Sequence, residues 1–477
     1  MLVILQSLKI KLKKVNRNWR AFFISILLFF TILTCLNLLF PFKPDLEYSP
    51  IILSENKELL HSFLTTDDKW RMYTTLEEIS PTLKKAIIFK EDRYFYQHFG
   101  INPLSVVRAA FNNIVKNRRT SGASTITMQV ARMLEPKERS YLSKLVEVFR
   151  ALQLEWNYSK DEILQMYLNL VPYGGNIEGV KAASLIYFQK MPDHLSIAEV
   201  TALSIIPNRP NSLRIGVSNE LISRERNKWL DRFEEAGLFD PKDLADARDE
   251  RLEAYRHTLD RVAPHLAQRL KNQYRDQSIV TTSIDLNMQL KAAAIVKNYT
   301  RQLYLGNIKN AAVIIIDNET MQVKAYVGSA DYYNADDGGQ VDGIRAVRSP
   351  GSTLKPILYG LAIDRGLITP QTVIADVPVN FSGYQPRNYK ENFSGNVTIE
   401  FALANSLNIP AVKVLDQLEP RHLINTLIKA DFKQIALDKE FLGLSTVMGG
   451  CGVTLDELTK MYAAFAHGVK MSDLNIL

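Results

Sequence analysis

The sequence is poor in the residue types that build disulfide or metal-bound scaffolds. Its 477 residues include only two cysteines and seven histidines, with Cys35 inside an apolar run and Cys451 alone in the rest of the chain. An intramolecular disulfide downstream is therefore excluded, and the scattered histidines match no metal-binding pattern. With 46% hydrophobic and 23% charged residues, the composition also excludes disordered and collagen-like chains and predicts two or three packed domains.

Acidic residues are absent from the first twenty positions, which form a basic arm. The arm carries six cations, which are Lys9, Lys11, Lys13, Lys14, Arg17 and Arg20. The net charge of the whole chain is +7, so the remainder is close to neutral. A nucleic-acid-binding domain would need its own basic surface, and the sequence therefore predicts no nucleic-acid partner.

Charged residues are also missing from positions 21–40, AFFISILLFFTILTCLNLLF. Twenty apolar residues are the length that a helix needs to cross a bilayer. The basic arm before this stretch places the N-terminus in the cytoplasm and the later residues outside. A cleavable signal peptide is the alternative, but no A-x-A pattern stands near Phe40. We expect an uncleaved single-pass anchor in the cytoplasmic membrane.

Composition and the spacing of apolar residues divide the rest of the chain into three parts. Residues 60–213 have apolar spacings of three and four, which predict a mainly helical domain. Residues 214–278 are charge-rich and helical and are predicted to form a solvated linker. Residues 279–477 mix strands and helices and include a predicted β-hairpin around the turn residues 317–320. The fold class is therefore multidomain, α plus α/β.

The first candidate site residue is a glutamate at the end of an apolar helix stripe. Leu83, Ile87 and Glu91 are four residues apart and share one face of the predicted helix. One interpretation is a helix-end glutamate paired with a nearby cation. The other is a buried carboxylate that acts as a general base or acid.

Five segments resemble, in order, the signatures of the family 51 peptidoglycan glycosyltransferases. EDRYFYQHFG (91–100) and GASTITMQ (122–129) resemble the first two. They are followed by KLVE (144–147), by SKDEILQMYLN (159–169) and by GVKAA (179–183). The departures are Met128, Ser143 and Gln165, and Met128 is typical of the 1C branch of bifunctional, class A penicillin-binding proteins.

The resemblance implies a lysozyme-like enzyme that polymerises lipid-linked disaccharide-pentapeptide, lipid II, into glycan strands. Glu91 would deprotonate the acceptor hydroxyl and Glu147 would assist departure of the pyrophosphate, although Glu147 between Lys144 and Arg150 also fits a surface salt-bridge ladder. The implied substrate-binding residues are Arg108, Ser124, Thr125, Gln129, Arg132 and Lys144. Arg118 and Arg119 are weaker candidates that could contact lipid headgroups. A divalent cation, Mg²⁺ or Mn²⁺, could help to neutralise the charge of the pyrophosphate.

A second candidate site lies in RSPGSTLKP (348–356), where Ser352 and Lys355 form an S-x-x-K pair. Lysine one helical turn after serine can activate the hydroxyl for acyl transfer, but Ser54 and Lys57 match the same pattern. The surrounding residues resemble the penicillin-binding transpeptidase domain, which is β-lactamase-like. The resemblance makes Ser352 the nucleophile, Lys355 its base, and Ser406 and Asn408 the S-x-N element.

The third element of that domain, K-T-G or K-S-G, is absent before Leu477. We therefore expect the transpeptidase-like domain to be truncated, which leaves D,D-transpeptidase activity open. The resemblance implies as partners lipid II, the growing glycan strand, peptide stems, β-lactams, the membrane and cell-wall synthesis proteins. The alternatives are a membrane-anchored module that binds peptidoglycan or β-lactams without cross-linking, and a scaffold with an inactive Glu91 site.

Overall fold

The computed structural model describes residues 34–103, 124–138, 140–466 and 472–477, with scattered positions between 19 and 31. Most of the predicted basic arm and much of the predicted anchor, 21–40, lie outside these residues. Among the described residues, no helix is long and apolar enough to cross a membrane. Arg108, Arg118 and Arg119 also lie outside the described residues.

The chain forms two compact units, and a short segment that interrupts the sequence of the first unit belongs to the second. The first unit contains the described residues up to Pro50 and residues 63–259, and the second contains residues 260–477 together with residues 51–62. The short segment carries strands β1 (Ile51–Leu53) and β2 (Leu59–Ser62). Residues 60–62, which the prediction placed in the helical domain, lie instead in the second unit, because β2 pairs with β1 there.

The first unit is mainly helical, as predicted. Its helices are α1 (Pro81–Glu91), α2 (Ile126–Leu134), α3 (Tyr141–Asn157), α4 (Lys160–Leu170), α5 (Val180–Phe188), α6 (Ile197–Ile205), α7 (Asn219–Glu235) and α8 (Pro241–Asp249). A small sheet, in the order β3 (Trp70–Arg71), β5 (Ile177–Glu178) and β4 (Pro172–Gly174), completes it.

Local sequence fixes where the helix that carries Glu91 begins and ends. The Ser80 hydroxyl accepts a hydrogen bond from the Leu83 amide at 3.1 Å, and Pro81 occupies the first helical turn. Serine at the N-cap followed by proline is a strong helix start. Leu83 and Ile87 are fully buried, so the stripe that ends at Glu91 faces the core.

The predicted linker at 214–278 differs from the structure. Helix α7 buries Ile222, Leu230 and Phe233, and the Phe233 ring centroid lies 5.7 Å from that of Phe89 on α1. The high charge of α7 belongs to its other face, as in any amphipathic surface helix. Residues up to 259 are therefore part of the first unit, and the segment is not a solvated connector.

The second unit contains eight helices among the residues described. They are α9 (Pro264–Gln273), α10 (Leu286–Leu303), α11 (Lys355–Asp364), α12 (Ile399–Ala404), α13 (Asn408–Leu418), α14 (Pro420–Lys429), α15 (Lys433–Asp438) and α16 (Leu455–Ala466). Leu358, Leu415 and Leu427 join α11, α13 and α14 in one buried core.

Three small sheets accompany these helices. Strand β6 (Ile279–Thr281) pairs in parallel with β1. Strands β7 (Val313–Ile316) and β8 (Val323–Val327) form the predicted hairpin, whose turn is held by Asp317, and β9 (Val373–Asp376) pairs antiparallel with β10 (Gly395–Thr398). The hairpin packs against α10 through Ala325, Val327 and Val296.

Candidate active sites

Glu91 lies at the end of α1 in a buried polar site, which we call the Glu91 pocket. Its side chain is only 7% exposed, and one carboxylate oxygen forms an ion pair with Lys90. The other oxygen accepts a hydrogen bond from Gln129 Nε2 at 3.0 Å. Oriented to satisfy both neighbours, the Asn208 amide donates to Glu91 at 3.0 Å and accepts from Lys90 at 2.7 Å. Gln129, which the resemblance names as a substrate-binding residue, thus lies beside Glu91.

Two buried tyrosine hydroxyls complete the Glu91 pocket. Among the described residues, neither the Tyr167 nor the Tyr173 hydroxyl has a hydrogen-bond partner. Burial raises the pKa of both phenols, and the negative charge of Glu91 raises each pKa further. Both groups therefore stay protonated and are available as hydrogen-bond donors inside the pocket.

Asp92 connects the two segments that resemble the first glycosyltransferase signatures. Its carboxylate contacts His98 Nε2 at 3.0 Å and accepts from the Ile126 amide at 3.1 Å. Thr125 caps α2 by accepting from the Met128 amide at 3.2 Å, and its hydroxyl donates to Gly100 at 2.6 Å. These bonds fix α2, and hence Gln129, relative to the end of α1.

Thr125 and the predicted substrate-binding residue Ser124 differ in exposure. Thr125 is 2% exposed and its hydroxyl is engaged by backbone groups, so in this structure it serves the N-cap of α2. The hydroxyl of Ser124 accepts from Lys144 Nζ at 2.8 Å. Lys144 thereby joins the second signature segment to α3.

Glu147 lies on α3 and pairs with Lys144. The Lys144 amine lies 2.7 Å from a Glu147 oxygen, and the Glu147 side chain is 16% exposed. Arg150, the other predicted neighbour, pairs instead with Glu135 at 2.8 Å. The salt-bridge ladder considered from the sequence is therefore only half present, with the Lys144 and Glu147 pair but without Arg150.

Two further residues from the sequence analysis have clear positions. Arg132 is exposed at the end of α2, and its positive charge opposes the rise in the pKa of Tyr167. Gln165 donates from Nε2 to the Tyr73 hydroxyl at 3.0 Å. This hydrogen bond gives Gln165 a packing role between α4 and the segment that precedes α1.

The second candidate site is built around a buried lysine, and we call Lys355, Ser406 and Asn408 the Lys355 cluster. Lys355 is 1% exposed. Its amine donates to the Ser406 carbonyl at 2.7 Å, to the Ser406 hydroxyl at 3.2 Å and to Asn408 Oδ1 at 2.7 Å. The structure thus brings the lysine of S-x-x-K into contact with both polar residues of S-x-N.

Burial without a counter-charge sets the chemistry of the Lys355 amine. It lowers the pKa of Lys355 to about 8. Ser352 is exposed one turn earlier in the 3-10 helix Gly351–Leu354. Among the described residues, no hydrogen bond joins the Ser352 hydroxyl to Lys355, whose amine is held by Ser406 and Asn408 instead.

A close backbone approach holds the turn that carries Ser352. The Ser349 hydroxyl donates to the Gly449 carbonyl at 2.7 Å. A Cβ at Gly449 would lie 2.5 Å from the Gly351 nitrogen, and Gly449 has a φ of +91°. Glycine is therefore required at this position by both space and backbone conformation.

Sequence reasoning missed four residues of these sites. Lys90 and Asn208 bracket Glu91, while Asp376 and Asn388 support Asn408. The buried Asp376 carboxylate accepts from Asn388 Nδ2 at 2.9 Å, and Asn388 Oδ1 accepts from the Asn408 amide at 2.9 Å. Lys90 lies on α1 itself, and the interpretation of Glu91 as paired with a nearby cation was the signal that could have named it. Asn208, Asp376 and Asn388 belong to no motif, and the sequence carried no signal for them.

Comparison with known proteins follows the same division. The Transglycosylase family matches residues 56–234, and the family described as penicillin binding protein transpeptidase domain matches residues 311–477. The chain is 35% identical to penicillin-binding protein 1C of Escherichia coli over 89% of its length. The chain belongs to the class A penicillin-binding proteins.

Two further likenesses complete the comparison. Penicillin-binding protein 1F of Bacillus subtilis is 29% identical over 89% of this chain. The chain spans 55% and 60% of the lengths of the E. coli and B. subtilis relatives. A crystal structure of penicillin-binding protein 1A from Haemophilus influenzae matches 91% of this chain and 70% of that one, with 16% identity and a TM-score of 0.47.

Proposed function

We propose that the first unit is a peptidoglycan glycosyltransferase that polymerises lipid II. The observation that carries this proposal is Glu91, a buried carboxylate with neutral hydrogen-bond donors around it and one adjacent cation. A general base must be ionised, fixed and shielded from water to take a proton from a sugar hydroxyl. The Transglycosylase match over residues 56–234 includes every residue of this pocket.

In the proposed reaction, Glu91 takes the proton of the acceptor 4-hydroxyl while the oxygen of that hydroxyl attacks the anomeric carbon of the donor. The bond between that carbon and the lipid pyrophosphate breaks, and the electron pair leaves with the phosphate. Lys144, Glu147 and Arg132 are the groups proposed at the leaving side. A cation that donates hydrogen bonds stabilises the developing phosphate charge, and Lys144 is the described cation best placed for this role.

A divalent cation is part of the proposal only at the phosphate. Among the described residues, no set of three or more carboxylate, imidazole or thiol groups converges. Mg²⁺ in phosphate-transfer sites is commonly held by one or two carboxylates and by the phosphates themselves. Glu147 is the carboxylate that would hold such an ion, which would supply charge neutralisation.

Membrane attachment and the wider partners also belong to the proposal. The basic arm and the uncharged residues 21–40 would hold the first unit at the cytoplasmic membrane, on its outer face, where a lipid-linked substrate resides. The growing glycan strand, peptide stems and other cell-wall synthesis proteins are the partners that we expect there.

For the second unit, we propose acylation of Ser352 by peptide stems or β-lactams. The Ser352 hydroxyl oxygen would attack the carbonyl carbon while the neutral Lys355 amine takes its proton, and the amide nitrogen would leave with a proton. A second candidate is binding of the same ligands without cross-linking. It is favoured by the engagement of Lys355 with Ser406 and Asn408 rather than with Ser352.

The test of the first proposal is glycan synthesis by the purified chain in detergent. Wild type, Glu91→Gln and the exposed control Glu77→Gln are incubated with lipid II, and polymer is separated on a gel. We expect polymer from wild type and from Glu77→Gln, and a loss of about a hundredfold or more from Glu91→Gln. Equal polymer from Glu91→Gln would contradict the role of Glu91, and none from folded wild type would contradict the activity.

A further inference from the structure

Lys90 is a buried cation in direct contact with Glu91. Its side chain is 1% exposed and its amine forms the ion pair with the Glu91 carboxylate. The same amine lies 5.6 Å from the centre of the Trp229 ring and 2.7 Å from the Asn208 amide oxygen. Among the described residues, Glu91 is the one carboxylate that Lys90 contacts.

The charges of Lys90 and Glu91 depend on each other. A buried charge is stable only when it is paired and hydrogen-bonded. Burial lowers the pKa of Lys90, and the Glu91 carboxylate opposes that shift. Removing either partner would leave the other as an uncompensated buried charge, which favours its neutral form.

The other groups that face Glu91 are neutral. Gln129 approaches from α2, Asn208 from the turn that follows α6, Tyr167 from α4 and Tyr173 from β4. The charge of Arg132, at the end of α2, acts on the Tyr167 hydroxyl. Within the part of the chain that the structure describes, Lys90 is therefore the cation that neutralises Glu91 directly.

We propose that Lys90 is a positioning residue for Glu91: its buried ammonium orients the carboxylate and compensates its charge, and so extends glycosyl transfer to lower pH. The inference rests on the proposed function of Glu91 as the base. Removing Lys90 should therefore move the acidic limit of activity upward while leaving activity at higher pH largely intact.

The test is the pH dependence of lipid II polymerisation by the full chain in detergent. Wild type, Lys90→Met, Lys90→Arg and the exposed control Lys85→Met are compared from about pH 5 to about pH 9. We expect the acidic half-maximum of Lys90→Met to rise by about one pH unit or more, as for a carboxylate that loses a contacting cation. Lys90→Arg should restore the wild-type limit, and Lys85→Met should not move it.

A second variant guards against misfolding of Lys90→Met. Asn208→Ala keeps both charges but removes the amide that bridges them, so its acidic limit should rise by less than that of Lys90→Met. If wild type is active and its pH profile coincides with that of folded Lys90→Met, the role of Lys90 alone is overturned. If Lys90→Met unfolds, the same conclusion follows from a wild-type profile that coincides with that of Asn208→Ala. Absence of polymer from folded wild type would overturn the proposed glycosyl transfer and this inference with it.

Discussion

The Glu91 pocket and the Lys355 cluster each bury a lysine, with opposite chemical results. Lys90 and Lys355 are both 1% exposed. Lys90 contacts a carboxylate that favours its ammonium form, whereas the described contacts of Lys355 are neutral oxygens of Ser406 and Asn408. Burial lowers the pKa of both amines, and it lowers the pKa of Lys355 to about 8. The partner, rather than burial, decides whether the lysine serves as a fixed charge or as a proton acceptor.

The largest effect is expected from removal of the proposed base of the second unit. Lys355→Met should reduce acylation of Ser352 by a fluorescent penicillin by about a hundredfold or more, since general-base assistance contributes that much. Labelled protein is counted after electrophoresis. Lys439→Met, an exposed change in the same unit, is the control, and undiminished labelling of Lys355→Met would refute the assignment.

The pH dependence of acylation sharpens the same point. Because the neutral amine accepts the proton, the rate should rise with pH to a plateau above about 8 and should fall about tenfold per pH unit below it. In the folded chain, burial lowers the pKa of Lys355 from 10.5 to about 8. Between these two pH values the unfolded chain binds more protons than the folded chain. The contribution of Lys355 to the free energy of unfolding therefore rises with pH in this range. A rate independent of pH across this range would show that Lys355 is not the base.

A smaller effect is expected from the supports of the Lys355 cluster. Asp376→Ala leaves Asn388 without its buried partner, which should cost about 1–3 kcal/mol of local stability. Hydrogen exchange of peptides that span residues 388–408 should become faster. The exposed change Asp364→Ala should leave that exchange unaltered, and unchanged protection in Asp376→Ala would mean that Asp376 does not hold Asn388 and Asn408.

The smallest effect on stability is expected at the half-exposed lysine of the first unit. Lys144 is 44% exposed in its pair with Glu147, and such pairs contribute about 0–1 kcal/mol. Lys144→Met should therefore unfold within a few degrees of wild type while losing glycan synthesis. A large drop in the unfolding temperature would show that Lys144 is structural.

The residues that the sequence predicted correctly lie on regular elements or in contiguous motifs. The apolar stripe of α1 placed Glu91 on a buried face, and the S-x-x-K and S-x-N motifs identified both halves of the Lys355 cluster. The roles of these residues as base, nucleophile and substrate ligands remain proposals.

The residues that the sequence missed depend on tertiary structure. Lys90 follows Ala86 by four residues on α1, but its ion pair with Glu91 depends on the burial of both side chains, which the sequence does not show. Asn208 reaches Glu91 from a segment more than a hundred residues away, and β1 pairs with β6 across an even longer separation. The charge of α7 also hid its buried face, so its packing could not be read from composition.

The most direct test of the comparison is the protonation of both amines in one sample. Competitive acetylation by acetic anhydride, read by mass spectrometry across pH, gives a titration curve for each lysine in wild type and in Glu91→Gln. We predict that Lys90 titrates at higher pH than Lys355 in wild type, and that Glu91→Gln lowers the Lys90 midpoint while leaving Lys355 unchanged. A Lys90 midpoint that equals that of Lys355, or that does not respond to Glu91→Gln, would contradict the account.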